Sequence, residues 1–267
     1  MESLTVAKSE ISVLNQEIDN EKGFYRIRAG NRVHYVTIFA GVFDETIMCR
    51  PFLLVPVLPD FPDDQWTTME IRPQKDGTVE TTISSEPLPT IEDDIIWHAN
   101  KVEILDLKAS RRRIKPRILE VMYEDTPAIA KFARFPWEIA YVENETFAYS
   151  VLQEHAPEVI PRFLGHLTEG GRVMGLLLEK VEGACVSIEN LSQCEKAVQA
   201  IHQAGLLHGD VNRYNFIVDS KTAAIKVIDF EHAEAFEHDL AKKEMDSLIY
   251  EIQEDSGRGG PPRLIAM

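Results

Sequence analysis

The sequence predicts an α+β fold, on three observations. Short apolar runs broken by turn residues fill 23–84, 95–133 and 159–179, a strand-and-hairpin pattern. Segments around 141–152 and 194–201 instead carry apolar residues at three- and four-residue steps, the spacing of one helix face. Residues 216–228 read as a tight hairpin bracketed by two polar side chains, Asn215 and Asp229.

With 267 residues the chain has room for one large domain or two small ones. Its 44 acidic against 28 basic residues leave a net charge of −16. Such a surface repels nucleic acid and anionic lipid, so neither is an expected partner. Cys49, Cys185 and Cys194 are an odd, sparse set without CxxC spacing. They point to a reducing compartment, with no disulfide framework and no zinc site. The start MESLTVAKSE lacks an apolar core of signal-peptide length, and no run approaches a membrane span. The expected location is the cytoplasm, with the nucleus as the alternative.

Residues 1–20 are polar, with helical spacing at Ile11, Leu14 and Ile18, and read as an arm or short helix. Residues 23–40 alternate around Ala29-Gly30-Asn31 as a hairpin. A second hairpin runs from Met69 through Lys75-Asp76-Gly77 to Thr81. Between them PFLLVPVLPDFP carries too many prolines for an interior helix. The Ser-Glu-Pro-Leu-Pro stretch then closes a β-rich region, so that 1–90 forms an N-terminal arm and extension. No chemistry is legible in it. It reads as a packing extension and a candidate surface for a protein partner.

Residues 95–107 and 117–123 read as two strands flanking a basic turn at 108–116. In the next strand, 126–133, Lys131 interrupts an apolar run, and an inward ammonium needs an anionic partner. A helix follows from about Phe135-Pro136, with proline favoured at its first position. Its apolar face carries Tyr141, Val142, Ala148, Tyr149 and Leu152, and Glu145 falls on that same face. A glutamate there must be paired or neutral. Lys131 with Glu145 is the expected ion pair, and Glu138 is the competitor. Residues 159–167 and 172–179 are two further strands joined by Glu169-Gly170-Gly171. Ser192-x-x-Glu195 has the form of a capping box, starting a helix that buries Cys194, Ala197, Val198 and Ile201 and stops at Gly205. Cys185 and Cys194 read as core or near-core.

The chemistry concentrates in LLHGDVNRYNFIVDSKTAAIKVIDFE, residues 206–231. The hairpin brings Asn215 beside Asp229, with Asp210 on the loop before it. Two oxygen ligands and a free carboxylate in one small volume suit Mg²⁺ and a hydroxyl awaiting deprotonation. His208 reads as a structural residue that holds the loop. The chemistry this implies is phosphoryl transfer.

HGDVNRYN followed by VIDFE resembles the catalytic loop and metal-binding segment of the protein-kinase-like superfamily. The His-Gly-Asp opening is more similar to the aminoglycoside, choline and RIO-type branches than to His-Arg-Asp protein kinases. PFLLVPVLPDFP, AKFARFPWEIAYVENETFAY, PRFLGHLTEGGRVMG and SGRGG resemble stretches of a fungal group of minimal kinase-like proteins, from about Arg50 onward. The resemblance implies a two-lobed protein-kinase-like fold behind the β-rich extension, with an N-lobe at 91–182 and a minimal, truncated C-lobe at 183–267. It implies ATP and Mg²⁺ as ligands. Asp210 would orient and deprotonate the acceptor hydroxyl, Asn215 would hold the metal, and Asp229 would bridge metal and phosphates. Lys131, held by Glu145, would contact the α- and β-phosphates, and backbone groups near Glu179 and Val181 would bind adenine. The basic turn would lie over the phosphates. No glycine occurs between Ala99 and Gly165, so close backbone approach is not available there. Ser110 and Arg111 to Arg113 either grip phosphate by charge or form a solvated turn. After Phe230 the usual glycine is replaced by Glu231, an extra ligand or an outward-facing acid.

The expected activity is ATP- and Mg²⁺-dependent transfer of phosphate to a hydroxyl on a protein or small molecule. The alternative is a kinase-like nucleotide-binding or scaffold module with little or no turnover. The missing glycine loop, Glu231 and the short C-lobe favour that alternative. The complete set of metal- and hydroxyl-handling groups favours the enzyme. A glycosidase, a label that members of the fungal group can carry, is discounted: no carboxylate pair stands apart from the kinase-like set.

Overall fold

The computed structural model describes residues 5–260, except for the side chains of residues 109–113. The chain is a mixed α+β structure that divides into two compact units, Met1–Pro89 with Arg134–Pro136, and Thr90–Ala133 with Trp137–Met267.

The first unit is a five-stranded sheet in the order β1-β2-β3-β4-β5. Its strands are β1 (Ile11–Ile18), β2 (Lys22–Ala29), β3 (Arg32–Phe39), β4 (Thr68–Pro73) and β5 (Val79–Ser84). Two short helices, α1 (Glu45–Met48) and α2 (Pro51–Val57), lie on the crossover between β3 and β4, which pair in parallel. Both hairpins form, turning at Gly30 (φ +60) and Gly77 (φ +84), backbone conformations open to glycine. Of the first twenty residues, 1–4 lie outside the described residues, Lys8–Glu10 form a 3-10 turn, and the stretch that carries the helical spacing is a strand, not an arm or α-helix. Residues 11–18 pair antiparallel with β2, and the register slips between Val13 and Asn15. That bulge breaks the two-residue alternation, and the apolar residues on either side of it mimic helical spacing. Within the proline-rich segment Pro51–Val57 forms α2. Pro51 sits at the helix start, where no N–H is needed, and Pro56 lies one residue from the end. Leu54 is its buried side chain, while Phe52 is 71% exposed, so α2 is a surface helix. Tyr25, Ile27, Ile38, Phe61 and Ile71 fill the core around Leu54. The Tyr25 hydroxyl donates to Met48 O at 3.0 Å.

The second unit begins with β6 (Lys101–Glu103), β7 (Lys108–Lys115), β8 (Ile118–Tyr123) and β9 (Thr126–Phe132). Helix α3 (Ile139–His155), β10 (Phe163–Glu169) and β11 (Arg172–Glu179) complete a six-stranded sheet, ordered β6-β10-β11-β9-β8-β7, and its helix. Next come β12 (Gly183–Cys185), α4 (Leu191–Gln203), β13 (Leu206–Leu207), β14 (Phe216–Asp219), β15 (Ile225–Val227), β16 (Glu234–Ala235) and α5 (His238–Gln253). They contribute a three-stranded sheet, β12-β14-β15, and the pair β13-β16.

Several local expectations are corrected here. The basic stretch is strand β7, and the turn contracts to Pro116 and Arg117. Of the strand read at 95–107, only β6 pairs, and a 3-10 turn, Ile104–Asp106, follows it. Helix α3 begins after a 3-10 turn, Pro136–Glu138, and buries Val142, Glu145, Ala148, Tyr149 and Leu152. Tyr141 lies outside that face, at 45% exposure. Helix α4 buries Cys194, Ala197, Val198 and Ile201 and ends before Gly205 (φ +89). The capping box that forms, Ser187 with Asn190, caps the preceding 3-10 turn, Ile188–Asn190; α4 itself has no side-chain cap bond, and Ser192 lies inside it. Cys185 is exposed, on the short strand β12, and is not a core residue.

Candidate functional site

The site is assembled where α4 hands the chain through β13 to the loop 208–215 and the hairpin β14–β15. His208 is fully buried. Its Nε2 donates to Ile228 O (3.0 Å), and its Nδ1 accepts from the Asp210 N–H (3.2 Å). That pattern requires a neutral ring with its proton on Nε2, and burial pushes its pKa down to the same effect. Glu244 of α5 pins the loop from the other side. It accepts from the Gly209 N–H at 2.8 Å and the His208 N–H at 3.3 Å, and pairs with His202 at 2.7 Å. Gly209 (φ +80) admits no side chain, because a Cβ would meet His232 O at 2.0 Å.

The loop fixes Asp210 through two amides. Asp210 Oδ2 accepts from Asn212 Nδ2 at 2.8 Å and from Asn215 Nδ2 at 3.1 Å. Asn215 Nδ2 also donates to Asp210 O at 2.9 Å. The nitrogen of the Asn215 amide is thus committed, and Oδ1 is the atom left to meet a cation. The Ile228 N–H donates to Asn215 O at 2.9 Å, which ties this loop to the strand end that carries Asp229. Asp229 itself has φ +72, an uncommon backbone for a non-glycine residue and one that recurs at functional positions.

Lys131 of β9 is the centre of the charges. Its Nζ lies 2.5 Å from Glu145 Oε2 and pairs with Asp229 Oδ1, with Glu231 Oε1 at 4.0 Å. Glu145 Oε1 accepts from the Phe230 N–H at 3.2 Å, so helix α3 holds both the lysine and the backbone after Asp229. Burial works to lower the Lys131 pKa, but Glu145, Asp229 and Glu231 together hold it above its usual value. Burial likewise pushes Glu145 up, to about 6 against the pull of Lys131. Asp229 moves the other way: burial opposes its charge, yet Lys131 and Lys115 hold it well below the usual carboxylate range. Lys115 Nζ stands 3.9 Å from Asp229 Oδ2.

Two side chains left open by sequence reasoning are settled by geometry. Glu231 pairs with Arg117 of the β7–β8 turn at 2.5 Å, so it is turned toward that cation. Glu138 stands 4.0 Å from the same arginine. Lys131 takes Glu145.

A cavity of about 250 Å³ opens beside this cluster. Lys131, Glu145, Asn215, Asp229, Glu179 and Val181 all line it, residues drawn from separate strands, helix and loop of the second unit. Ile118, Ile129, Leu178, Ile217 and Ile228 supply an apolar wall. Among the described residues the Val181 backbone has no hydrogen-bond partner, whereas the Glu179 N–H donates to Arg162 O at 2.9 Å. Asp210 does not line this cavity. It lines a neighbouring depression with Lys243, Glu251 and Arg258, joined to the first site through Asn215. The Arg111 side chain lies outside the described residues. Sequence reasoning missed Lys115, Arg117, Glu244 and Gly259. Lys115 lies within the basic turn read at 108–116 but is not singled out there, and Arg117, Glu244 and Gly259 come from a strand start, a helix and a tail whose local patterns carry no site signal.

Among the described residues no group of three or more His, Cys, Asp or Glu side chains gathers to hold a metal by itself. Asn215 and Asp229 provide two oxygen donors, a set that fits Mg²⁺ when waters and phosphates complete its shell. Among the described residues no helix is long and apolar enough to cross a membrane. No protein-family model matches the chain.

Proposed function

We propose that the protein is an ATP- and Mg²⁺-dependent phosphotransferase with a kinase-like, two-lobed second unit. The observation that carries the reading is the meeting of Lys131, Glu145 and Asp229 at one end of a cavity lined by apolar side chains. A cation buried between two acids, beside an apolar slot, suits a ligand with a flat ring at one end and a charged chain at the other. The slot would take adenine against Ile118, Leu178 and Ile217, with the Val181 backbone as hydrogen-bond partner. Lys131 would exchange Asp229 for the α- and β-phosphates while Glu145 keeps it in place. Asp229 and Asn215 Oδ1 would hold Mg²⁺, which when bound neutralises phosphate charge. Asp210, its Oδ2 occupied by two amides, presents Oδ1 to the acceptor hydroxyl. The hydroxyl oxygen would form the new bond to the γ-phosphorus as the β–γ bridging bond breaks, and its proton would pass to Asp210.

One observation favours a second reading, a nucleotide-binding module without turnover. Lys131 is bonded directly to Asp229, the residue that a metal would need. A module in which that bond never opens would bind a nucleotide poorly or without metal. Measuring transfer of labelled phosphate from ATP to protein and small-molecule acceptors separates the two. Asp210→Asn should reduce transfer by about 10²–10⁴-fold and leave Mg²⁺-ATP affinity within about twofold. Unchanged transfer in that variant would remove Asp210 from the mechanism. ATP binding that does not depend on Mg²⁺, with no turnover on any acceptor, would favour the module.

A further inference from the structure

The hairpin β7–β8 lacks the glycine that would let a backbone come close to phosphate groups, yet a glycine turn reaches the same cavity from after α5. The Gly260 N–H donates to Gly257 O at 3.1 Å, which closes a four-residue turn. Its third residue, Gly259, has φ +78, the conformation that glycine supplies in a type II turn. The turn packs directly on the loop that fixes Asp210. A Cβ at Gly259 would lie 2.9 Å from the Asn212 side chain, and one at Gly260 would lie 2.8 Å from the Tyr214 ring. A side chain at either position would force the Asn212 amide or the Tyr214 ring to shift. Gly259 lines the cavity together with Lys115, Lys131 and Asp229, and Lys115 Nζ reaches to 3.5 Å from Gly259 O. Arg258, paired with Glu251, faces the depression that holds Asp210. Among the described residues the Gly259 N–H has no partner. The turn is thus the wall between the two hollows, and among the described residues it carries an unpaired backbone donor with Lys115 beside it.

We infer that the Gly257–Gly260 turn, with Lys115, forms the phosphate-binding wall of the cavity, in place of a glycine-rich hairpin. This rests on the nucleotide reading for the identity of the ligand, but the chemistry itself asks only for a chain of phosphates. A backbone N–H without a partner among the described residues and the Lys115 ammonium at a glycine turn, with Lys131 in the same cavity, match anionic oxygens. Close backbone approach is the property that a side chain at Gly259 would remove.

The test titrates the full chain with Mg²⁺ and four probes: ATP, ADP, adenosine and inorganic tripolyphosphate. Gly259→Val should weaken ATP and tripolyphosphate binding about tenfold, equivalent to about 1.4 kcal/mol, and leave adenosine unchanged. Lys115→Ala should do the same. Gly170→Val is the control, since Gly170 also has positive φ (+58) but nothing within 4 Å of a Cβ. Equal loss for adenosine and ATP in Gly259→Val would reduce the turn to a structural support and overturn the inference. Tripolyphosphate binding that depends on Gly259, without any gain from adenine, would support the wall and overturn the nucleotide reading. Unchanged ATP affinity in Gly259→Val and Lys115→Ala would do the reverse. Absence of binding by all four probes to the unmodified chain would overturn both.

Discussion

Replacing Lys131 by methionine tests the charge cluster most directly. The methionine keeps the length of the side chain and removes the one cation that Glu145 touches. Asp229 would retain Lys115 at 3.9 Å, and Glu231 would retain Arg117 at 2.5 Å. Glu145, whose side chain is 1% exposed, would keep only the Phe230 N–H. A carboxylate so isolated takes up a proton, and the cost can be worked from its ordinary pKa of 4.5. At about 1.36 kcal/mol per pH unit, holding that proton costs roughly 3.4 kcal/mol at pH 7 and roughly 1.4 kcal/mol at pH 5.5. The unmodified protein already bears about 2 kcal/mol of the first figure, because its own Glu145 pKa is raised to about 6. The lost pairing of Lys131 with Asp229 adds to the remainder, and ~3–5 kcal/mol is typical of removing one partner from a buried pair. In a unit of this size, about 3 kcal/mol lowers the melting temperature by roughly 6–12 °C. Calorimetry at the two pH values measures this, with the deficit of Lys131→Met narrowing as pH falls. Adding Glu145→Leu should recover most of the loss and abolish its pH dependence, because a well-packed apolar pair can replace a buried ionic one. A deficit under about 1 kcal/mol at pH 7, or one that does not narrow at pH 5.5, would show that Glu145 is not held by Lys131, since either outcome contradicts the linkage.

Other expectations follow from the same geometry. In the unmodified protein the Glu145 pKa is raised to about 6 from 4.5, so the fold binds its proton more tightly than the unfolded chain. That contribution to stability is fully present below pH 4.5 and is lost as pH rises through about 6. Asp229, held low, contributes with the opposite sign: it stabilises above its ordinary value and loses that effect as pH falls. Chemical denaturation of Glu145→Gln across pH 4–7 should lack the fall between 4.5 and 6, and persistence of that fall would assign it to another group. Gly175→Ala should destabilise by about 1–3 kcal/mol, because its Cβ would stand 2.6 Å from Lys131 O and 2.8 Å from Phe132 Cβ. The same change should loosen Lys131, read as weaker Mg²⁺-ATP binding. Unaltered melting and affinity would mean that β9 and β11 have more freedom than their contact indicates.

The local pattern was most legible where one element's chemistry is complete within itself. The hairpin 216–228 places Asn215 and Asp229 by strand pairing alone, and no distant residue is needed to read it. Lys131 and Glu145 were legible for a related reason: each is a charge on an apolar pattern, and burial without a partner is too costly to leave unexplained. Where two local signals compete, reading failed. The bulge between Val13 and Asn15 made a strand look helical, and the prolines of α2 hid a helix because one stands at its start and the other near its end. At 192–195 the motif was present, but the cap that formed was on the preceding turn, where Ser187 and Asn190 could reach each other.

By itself the sequence determined the α+β class, most of the strands, and the identity of the charges that have to be paired. Only the tertiary structure decided which charge meets which: Glu231 turns to Arg117, Glu138 does not take Lys131, and Glu244 pins a loop 35 residues away. It also brought a glycine turn from after α5 to the cavity wall. Strand and helix periodicities are short-range properties of the backbone, so they are written locally. Ion pairing and close packing depend on distances between segments far apart along the chain, and those distances exist only once the chain has folded.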